Sequence, residues 1–158
     1  MNPNIELLSD HHDVTKLDCG IPQLDEWLRK TARISNERDL AKTYVIADEN
    51  GVVVAYSALV ASSIESTALT SRARHGLPTT LPAVLLGKLA VDMDHRGLGS
   101  HLLGHACRIA VAVREIIGAR FLFADALNET ARNWYLSKDM KAVAGSNVCY
   151  ARIKDLAG

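Results

Sequence analysis

The chain of 158 residues carries 18 lysines and arginines and 18 aspartates and glutamates, so its net charge is zero and it has no overall attraction to nucleic acid. Its hydrophobic content of 48% suffices for one sizeable core, and no apolar run reaches the ~18 residues that a membrane span requires. Because the start lacks the basic and apolar regions of a signal peptide and the three cysteines form no CxxC pair, we expect a single cytoplasmic domain over residues 1–158, with free thiols.

The first third of the chain predicts a strand, a helix and a hairpin. Residues 5–8 are a short strand candidate, and Pro22 precedes a helical spacing of apolar residues that continues to about residue 35. Residues 43–47 and 52–64 are rich in β-branched and apolar residues and are joined by the turn sequence DENG, so they predict two antiparallel strands.

The middle of the chain predicts a loop over residues 66–82, an apolar strand over 83–91 and then a long helix that Gly118 stops. Apolar residues at spacings of three and four predict that one face of this helix is buried. Those residues are Leu102, Leu103, Ala106, Ile109, Ala110, Val113, Ile116 and Ile117, with His101 and His105 on the opposite face.

The last third predicts a strand over residues 120–124, a helix capped by Asn128 and a strand-like segment over 143–153. Strands and helices therefore alternate after the hairpin. This order predicts an α/β (α+β) domain with a mixed, twisted central sheet that is flanked by helices.

The segment LAVDMDHRGLGSHLL joins the apolar strand directly to the long helix through a glycine-containing loop. Gly97 and Gly99 remove side chains that would keep a phosphate from backbone N–H groups, and a helix N-terminus favours negative charge. The alternative is an ordinary turn between a strand and a helix.

A second pattern begins at Asn128, where Tyr135 follows seven residues later, about two helical turns along. The Asn128 amide can bind an amide-bearing ligand, and a tyrosine hydroxyl can act as a general acid. The alternative is a capping asparagine and a packed tyrosine.

Two other chemistries find little support in the sequence. His101 and His105 have the spacing of metal ligands, but HLLGH lacks the glutamate of HExxH and no third ligand is evident, so we predict no metal site. No G-x-S-x-G sequence is present, which argues against a hydrolase of that type.

Taken together, the two patterns resemble the GNAT acetyltransferase family. Arg96 and Gly99 fit its (R/Q)-x-x-G-x-(G/A) signature, and Asn128, Ala131 and Tyr135 fit its N-x-x-A-x-x-x-Y pattern. The last small position of the first signature falls on a histidine in an ungapped alignment. Alternatively the loop is two residues shorter than usual, with Gly97 and Gly99 as its last two glycines, and the helix begins at Ser100.

The resemblance implies that acetyl-CoA is the cosubstrate and that Tyr135 protonates the departing CoA thiolate. It implies that the backbone around Leu89, Ala90 and Val91 pairs with the pantetheine arm. The pyrophosphate is expected at Arg96, Gly97, Leu98, Gly99, Ser100 and His101, with a further cofactor contact at Asn128.

A narrower resemblance covers nearly the whole chain. The segments LDCGIPQLDEWLRKTA, TYVIADENGVVVAYSAL and LLGKLAVD look like GNAT toxins of type II toxin–antitoxin modules. That implies acetylation of the amino group of aminoacyl-tRNA, a ribbon–helix–helix antitoxin and a homodimer. Basic residues then become candidates for contacts with tRNA, namely Arg29, Lys30, Arg33, Arg72 and Arg74.

Two rival interpretations share this fold. One is a GNAT acetyltransferase for a small amine or a protein lysine, which needs no surface for RNA. The other is a catalytically impaired GNAT-like binding protein whose altered loop no longer holds acetyl-CoA.

Overall fold

The computed structural model describes residues 2–157, which form seven strands, six α-helices and one short 3₁₀ turn. In chain order these are β1 (Glu6–Leu7), α1 (Pro22–Lys30), α2 (Ala32–Glu37), β2 (Lys42–Ala47), β3 (Val53–Glu65), the 3₁₀ turn (Ser66–Ala68), α3 (Ser71–Arg74), β4 (Thr80–Val91), α4 (Leu98–Ile116), β5 (Phe121–Asp125), α5 (Glu129–Ser137), β6 (Lys141–Ala142), β7 (Val148–Arg152) and α6 (Ile153–Leu156).

The seven strands form one mixed sheet in the order β1-β2-β3-β4-β5-β7-β6. The predicted hairpin is confirmed, since β2 and β3 pair antiparallel from Lys42 opposite Leu59 to Ala47 opposite Val53. β4 and β5 are parallel, which requires the long crossover that α4 provides. The predicted mixed sheet with flanking helices is thus confirmed.

The chain divides into two compact units, each with its own apolar clusters. The first contains the described residues up to Val60 and Gly87–Ala106, and buries Leu28, Val53 and Tyr56 together. The second contains Ala61–Leu86 and the described residues from Cys107 onward. Its buried cluster includes Leu81, Phe121 and Tyr150.

The single helix predicted from Pro22 to about residue 35 is wrong, because the chain turns at Thr31 between α1 and α2. Thr31 has φ −122° and ψ −31°, outside helical values, although its N–H still donates to the Trp27 carbonyl at 2.9 Å. A β-branched residue is restricted in a helix, so this position accommodates the break. The second helix then continues to Glu37.

The predicted boundaries also differ in the second unit. β4 begins at Thr80, inside the predicted loop, and continues through Pro82, whose carbonyl accepts the N–H of Arg120 at 2.9 Å. The strand predicted over residues 143–153 is instead a turn followed by β7, and this strand pairs with β6. Gly145 enables that turn with φ +73°.

The predicted buried face of α4 is wrong at its C-terminal end. Leu102, Ala106 and Ala110 are fully buried, but Ile116 and Ile117 are 82% and 63% exposed. On the opposite face, His105 is half-buried and its ring lies 4.5 Å from that of Tyr44. Periodicity determines which side chains share a face, whereas burial also needs a surface that extends as far as the helix.

Although α4 has 19 residues, none of the helices within residues 2–157 combines the length and the apolar character that crossing a bilayer requires.

Candidate active site

The loop between β4 and α4 leads directly into a helix N-terminus with unpaired donors. The backbone N–H groups of Leu98, Gly99 and Ser100 lie in the first turn of α4, where no preceding helical carbonyl can accept them. Gly97 immediately before the helix has φ +95°, a conformation that strains other residues. This arrangement can bind an anion through backbone donors and the helix dipole.

The start of α4 bears on the two alignments of the loop signature. The shorter-loop alignment places the start of the helix at Ser100. In the structure the helix begins two residues earlier, at Leu98. His101 is therefore the fourth residue of the helix and is half-buried. Arg96 lies in the turn before the helix and is exposed, so its guanidinium is accessible to a polyanion.

Asp92 fixes this loop, a role that the sequence analysis missed. Its carboxylate accepts the N–H groups of Asp18 and Asp94, both at 3.0 Å, and lies 3.2 Å from the ring nitrogen of His95. The pKa of Asp92 lies below its ordinary value. The largest cause is the hydrogen bond from the backbone N–H of Asp18, and the backbone N–H of Asp94 and the side chain of His95 lower the pKa further. An aspartate that directly follows an apolar strand and precedes a turn was the available signal.

The segment Leu89, Ala90 and Val91 occupies the last residues of β4. Ala90 packs into the cluster around Tyr56, whereas Leu89 and Val91 pack on the other face, in the cluster that contains Leu102. The parallel ladder of β4 with β5 joins Ala83–Leu86 to Phe121–Ala124 and extends no further among the described residues. The strand edge beyond that ladder can therefore pair with an extended, amide-bearing ligand.

Asn128 and Tyr135 lie at the two ends of α5, within the second unit. The Asn128 Oδ1 accepts the N–H of Ala131 at 2.8 Å, which confirms the predicted cap and leaves the amide nitrogen as a donor. Tyr135 is only 6% exposed, and burial raises the pKa of its phenol well above the ordinary value. At neutral pH the phenol therefore retains its proton, as a general acid must.

The sequence model of the Acetyltransferase (GNAT) family matches residues 5–139, which include both the loop and Tyr135. The chain belongs to the GNAT acetyltransferase family. This membership confirms the predicted fold and assigns the protein to the acyltransferase enzymes.

A curated relative within the family is the tRNA-acetylating toxin of Mycobacterium tuberculosis. It is 36% identical over 136 residues, which are 85% of this chain and 81% of the relative. The predicted resemblance to toxins of the GNAT family is thereby confirmed.

Solved structures give the same relationship. A mutant of KacT superposes with a TM-score of 0.92 at 25% identity, and AtaT in complex with acetyl-methionyl-tRNA superposes with 0.90 at 26%. Each comparison covers 99% of this chain and 98% of the other. Two further structures, both with TM-scores of 0.84, are AtaT bound to the C-terminus of its antitoxin AtaR, at 25% identity, and AtaTR with acetyl-CoA, at 26%. Each of these covers 99% of this chain and 96% of the other.

The basic residues of the first unit differ in their availability. Arg29 is exposed, and Lys30 is exposed but pairs with Glu26 at 2.7 Å. The guanidinium of Arg33 donates instead to the backbone carbonyls of Ser9 and His12, so it fixes that turn. In the second unit, Arg72 and Arg74 are exposed on α3.

Lys88 is a half-buried cation of this GNAT domain that the sequence analysis did not single out. Its Nζ lies 5.7 Å from the centre of the Trp27 ring, which stacks on Tyr56 at 5.9 Å and 12°. A cation above an aromatic face is stabilised by the ring electrons. The partners come from three separate elements, so no local pattern predicted this contact.

The sequence predicts no metal site, yet three side chains of kinds that bind metals lie close together near the N-terminus. Atoms of Glu6, His11 and His12 lie within 4.8 Å of one another. The Nδ1 of His12, however, accepts the backbone N–H of Ser9 at 3.0 Å, so in the neutral ring Nε2 carries the proton and faces Glu6 at 3.4 Å. In this tautomer the cluster is a hydrogen-bonded turn, because no lone pair of His12 points to a metal.

A glutamate at position 99 tests the phosphate loop. Gly99→Glu adds a negative charge beside the first-turn N–H groups of α4, so acetyl-CoA binding should weaken by about tenfold or more in calorimetry. The melting temperature of the free protein should change little, since an acidic residue suits a helix N-terminus. The matched control is Gly118→Glu, at a position where an added Cβ meets no atom within 4 Å. Unchanged acetyl-CoA affinity in Gly99→Glu would show that phosphate binds elsewhere.

Asp92→Asn tests the loop anchor through the pH dependence of stability. The folded-state pKa of Asp92 lies below its unfolded value, so its contribution is complete above an unfolded pKa of about 3.9 and is lost as pH falls through the folded pKa. The difference in unfolding free energy between wild type and Asp92→Asn, measured in urea, should therefore shrink on acidification below about pH 4. Asp94→Asn alters the neighbouring exposed carboxylate and is the control. A constant difference across this range would exclude the proposed anchor.

Proposed function

We propose that this protein transfers the acetyl group of acetyl-CoA to the α-amine of an aminoacyl-tRNA and acts as the toxin of a toxin–antitoxin pair. The observation that carries the proposal is the 36% identity, over 85% of the chain, to a tRNA-acetylating toxin. AtaT, whose structure with acetyl-methionyl-tRNA superposes on this chain with a TM-score of 0.90, supports the same acceptor class.

The residues proposed to hold acetyl-CoA have the chemistry that its parts require. The first-turn N–H groups of α4, from Leu98 to Ser100, and the exposed Arg96 suit the pyrophosphate. The backbone edge at residues 89–91 suits the amides of the pantetheine arm, and the free amide nitrogen of Asn128 adds a donor. AtaTR with acetyl-CoA is a solved relative of this fold.

Acetyl-CoA supplies an activated acetyl thioester, and the chain is proposed to position the amine and manage the protons. As the new C–N bond forms and the C–S bond breaks, a backbone N–H near Leu89–Val91 stabilises the negative charge on the carbonyl oxygen. Tyr135 donates its proton to the departing sulfur, and a phenol is protonated at neutral pH until that step.

The acceptor explains why the mechanism requires no strong base. A free α-amino group has a pKa of about 7.7–8.0, against about 10.4 for lysine, so a useful fraction is already neutral near pH 7. The proton lost from the amine passes to water or to a backbone carbonyl. A lysine acceptor would need a carboxylate or histidine to remove its proton.

The proposed partners follow from the toxin assignment. AtaT binds the C-terminus of its antitoxin AtaR, and we infer a ribbon–helix–helix antitoxin and a homodimer for this protein. Because charged tRNA is a cytoplasmic molecule, the proposed location is the cytoplasm. For tRNA phosphates we assign the exposed cations Arg29, Lys30, Arg72 and Arg74, whereas Arg33 holds the turn at Ser9 and His12.

Tyr135→Phe tests the proposed acid. The turnover rate should fall by about 10²–10⁴-fold while the dissociation constant of acetyl-CoA stays unchanged, because only the proton donor is removed. Single-turnover transfer and calorimetry measure the two quantities. Tyr150→Phe is the matched control, as it removes the hydroxyl of another buried tyrosine of the same unit. A wild-type rate at saturating substrates would remove Tyr135 from the mechanism.

The acceptor is tested by offering purified enzyme labelled acetyl-CoA with charged tRNA, uncharged tRNA, polyamines or lysine peptides. We expect label on charged tRNA alone, because only its α-amine is substantially neutral near pH 7. Label on polyamines or lysines with charged tRNA untouched would favour a general acetyltransferase. The absence of acetyl-CoA binding would favour the non-catalytic alternative.

Charge reversal of Arg29 and Lys30 together tests the RNA-binding role of the first unit. The double variant should raise the KM for charged tRNA and reduce the slope of log KM against log salt by about 0.7–0.9 for each phosphate that is no longer neutralised. Its acetyl-CoA affinity should be unchanged. Lys16→Glu, which alters an exposed lysine not assigned to tRNA, is the control. An unchanged salt slope would exclude these two residues from the RNA surface.

A further inference from the structure

A cavity of about 380 Å³ lies in the second unit, where the start of β4 meets the segment after α4. Its apolar lining comes from Leu77, Pro78, Leu81, Pro82 and Ala119. A volume of this size accommodates one or two apolar side chains or a small ligand. None of its residues has been assigned above to acetyl-CoA or tRNA.

The charged residues that line the same cavity are all basic. They are Arg114, Arg120, Arg152 and Lys154, and none of the described residues in the lining is acidic. Arg114 has only a loose ion pair with Glu115, at 3.9 Å and partly exposed. In a chain of zero net charge, four cations around one apolar cavity give it a local positive potential that attracts anions.

Arg120 supplies an independent indication of a ligand. Its Nε is buried and has no hydrogen-bond partner among the described residues, while its guanidinium carbon lies 5.8 Å from the Phe121 ring centre. A buried N–H without an acceptor is unfavourable, and most such groups in proteins are paired. Arg120 also lines the cavity, so a carboxylate bound there would give its guanidinium an acceptor.

Two exposed apolar residues lie next to the cavity lining in the chain. Ile116 and Ile117 directly precede the lining residue Gly118, and both are strongly exposed. Adjacent exposed isoleucines next to an apolar cavity are typical of a surface that another molecule covers.

We propose that this cavity is a docking site for a segment of a partner protein that carries acidic residues next to an apolar anchor side chain. The anchor fills the aliphatic cavity, and carboxylates pair with the surrounding arginines, which bind them through two parallel hydrogen bonds. An RNA strand fits less well. None of the described lining residues is aromatic and able to stack on a base, and a phosphate makes no favourable contact with aliphatic side chains. The proposal is independent of the acceptor assigned above.

The test measures binding of a short fluorescent peptide of glutamate and leucine to the full chain by anisotropy. Two companion peptides replace either every glutamate by glutamine or every leucine by serine. We expect the first peptide to bind and each companion to bind at least about tenfold more weakly. One charge-assisted hydrogen bond or one buried leucine contributes that much binding free energy. Equal binding of the three peptides would overturn the proposal.

Two variants locate the binding on the protein. Arg152→Glu with Lys154→Glu reverses two cations of the cavity, and Gly118→Leu adds a side chain at its lining, where a Cβ meets no atom within 4 Å. Both should reduce peptide affinity about tenfold or more. The matched control, Arg108→Glu with Lys141→Glu, reverses two exposed cations outside the cavity and should bind as wild type does.

Melting temperature and acetyl-CoA affinity verify that each variant is folded, and transfer to charged tRNA is measured separately. Peptide binding that survives both cavity variants overturns the proposal. The proposal is also overturned if an RNA hairpin binds instead of the peptide and the Arg152→Glu, Lys154→Glu variant abolishes that binding. The cavity would then be a phosphate site. Neither result depends on which amine the enzyme acetylates.

Discussion

The carboxylate of Asp92 resolves a conflict in the turn from β4 to α4. A loop that binds phosphate through its backbone must leave N–H groups without protein partners, yet a loop with few partners is not held in place. Asp92 accepts donors from Asp18 and Asp94, so one side chain fixes the turn from both sides. The first-turn donors of α4 need no partner within the helix, while hydrogen bonds to Asp92 hold the turn before them.

The proposed chemistry also depends on few side chains. In the proposed site, backbone groups of the β4 edge and the helix N-terminus bind the cosubstrate, and backbone donors do not depend on side-chain identity. Tyr135 is the proposed exception, because a proton must be delivered to sulfur and a tyrosine phenol is protonated at neutral pH. The α-amine acceptor removes the need for a second catalytic side chain, since its own low pKa replaces the base that a lysine would require.

Although the net charge of the chain is zero, its basic residues differ in what they contact. Arg33 resembles a candidate RNA contact in the sequence, but its guanidinium holds the carbonyls of Ser9 and His12. No sequence pattern pointed to Arg120, yet this residue lines an apolar cavity with three other cations. Charges of one sign acquire a role only when the fold gathers them around a surface with its own shape.

The sequence by itself determined the features that depend on local spacing. It predicted the β2–β3 hairpin, the loop before α4 and the Asn128 cap, because turns, helix starts and caps are formed by residues close in the chain. Tertiary structure alone decided the end of the buried face of α4 and the Lys88–Trp27 contact. Each of these depends on which distant element lies opposite, and the pattern of a single segment carries no information about its partner.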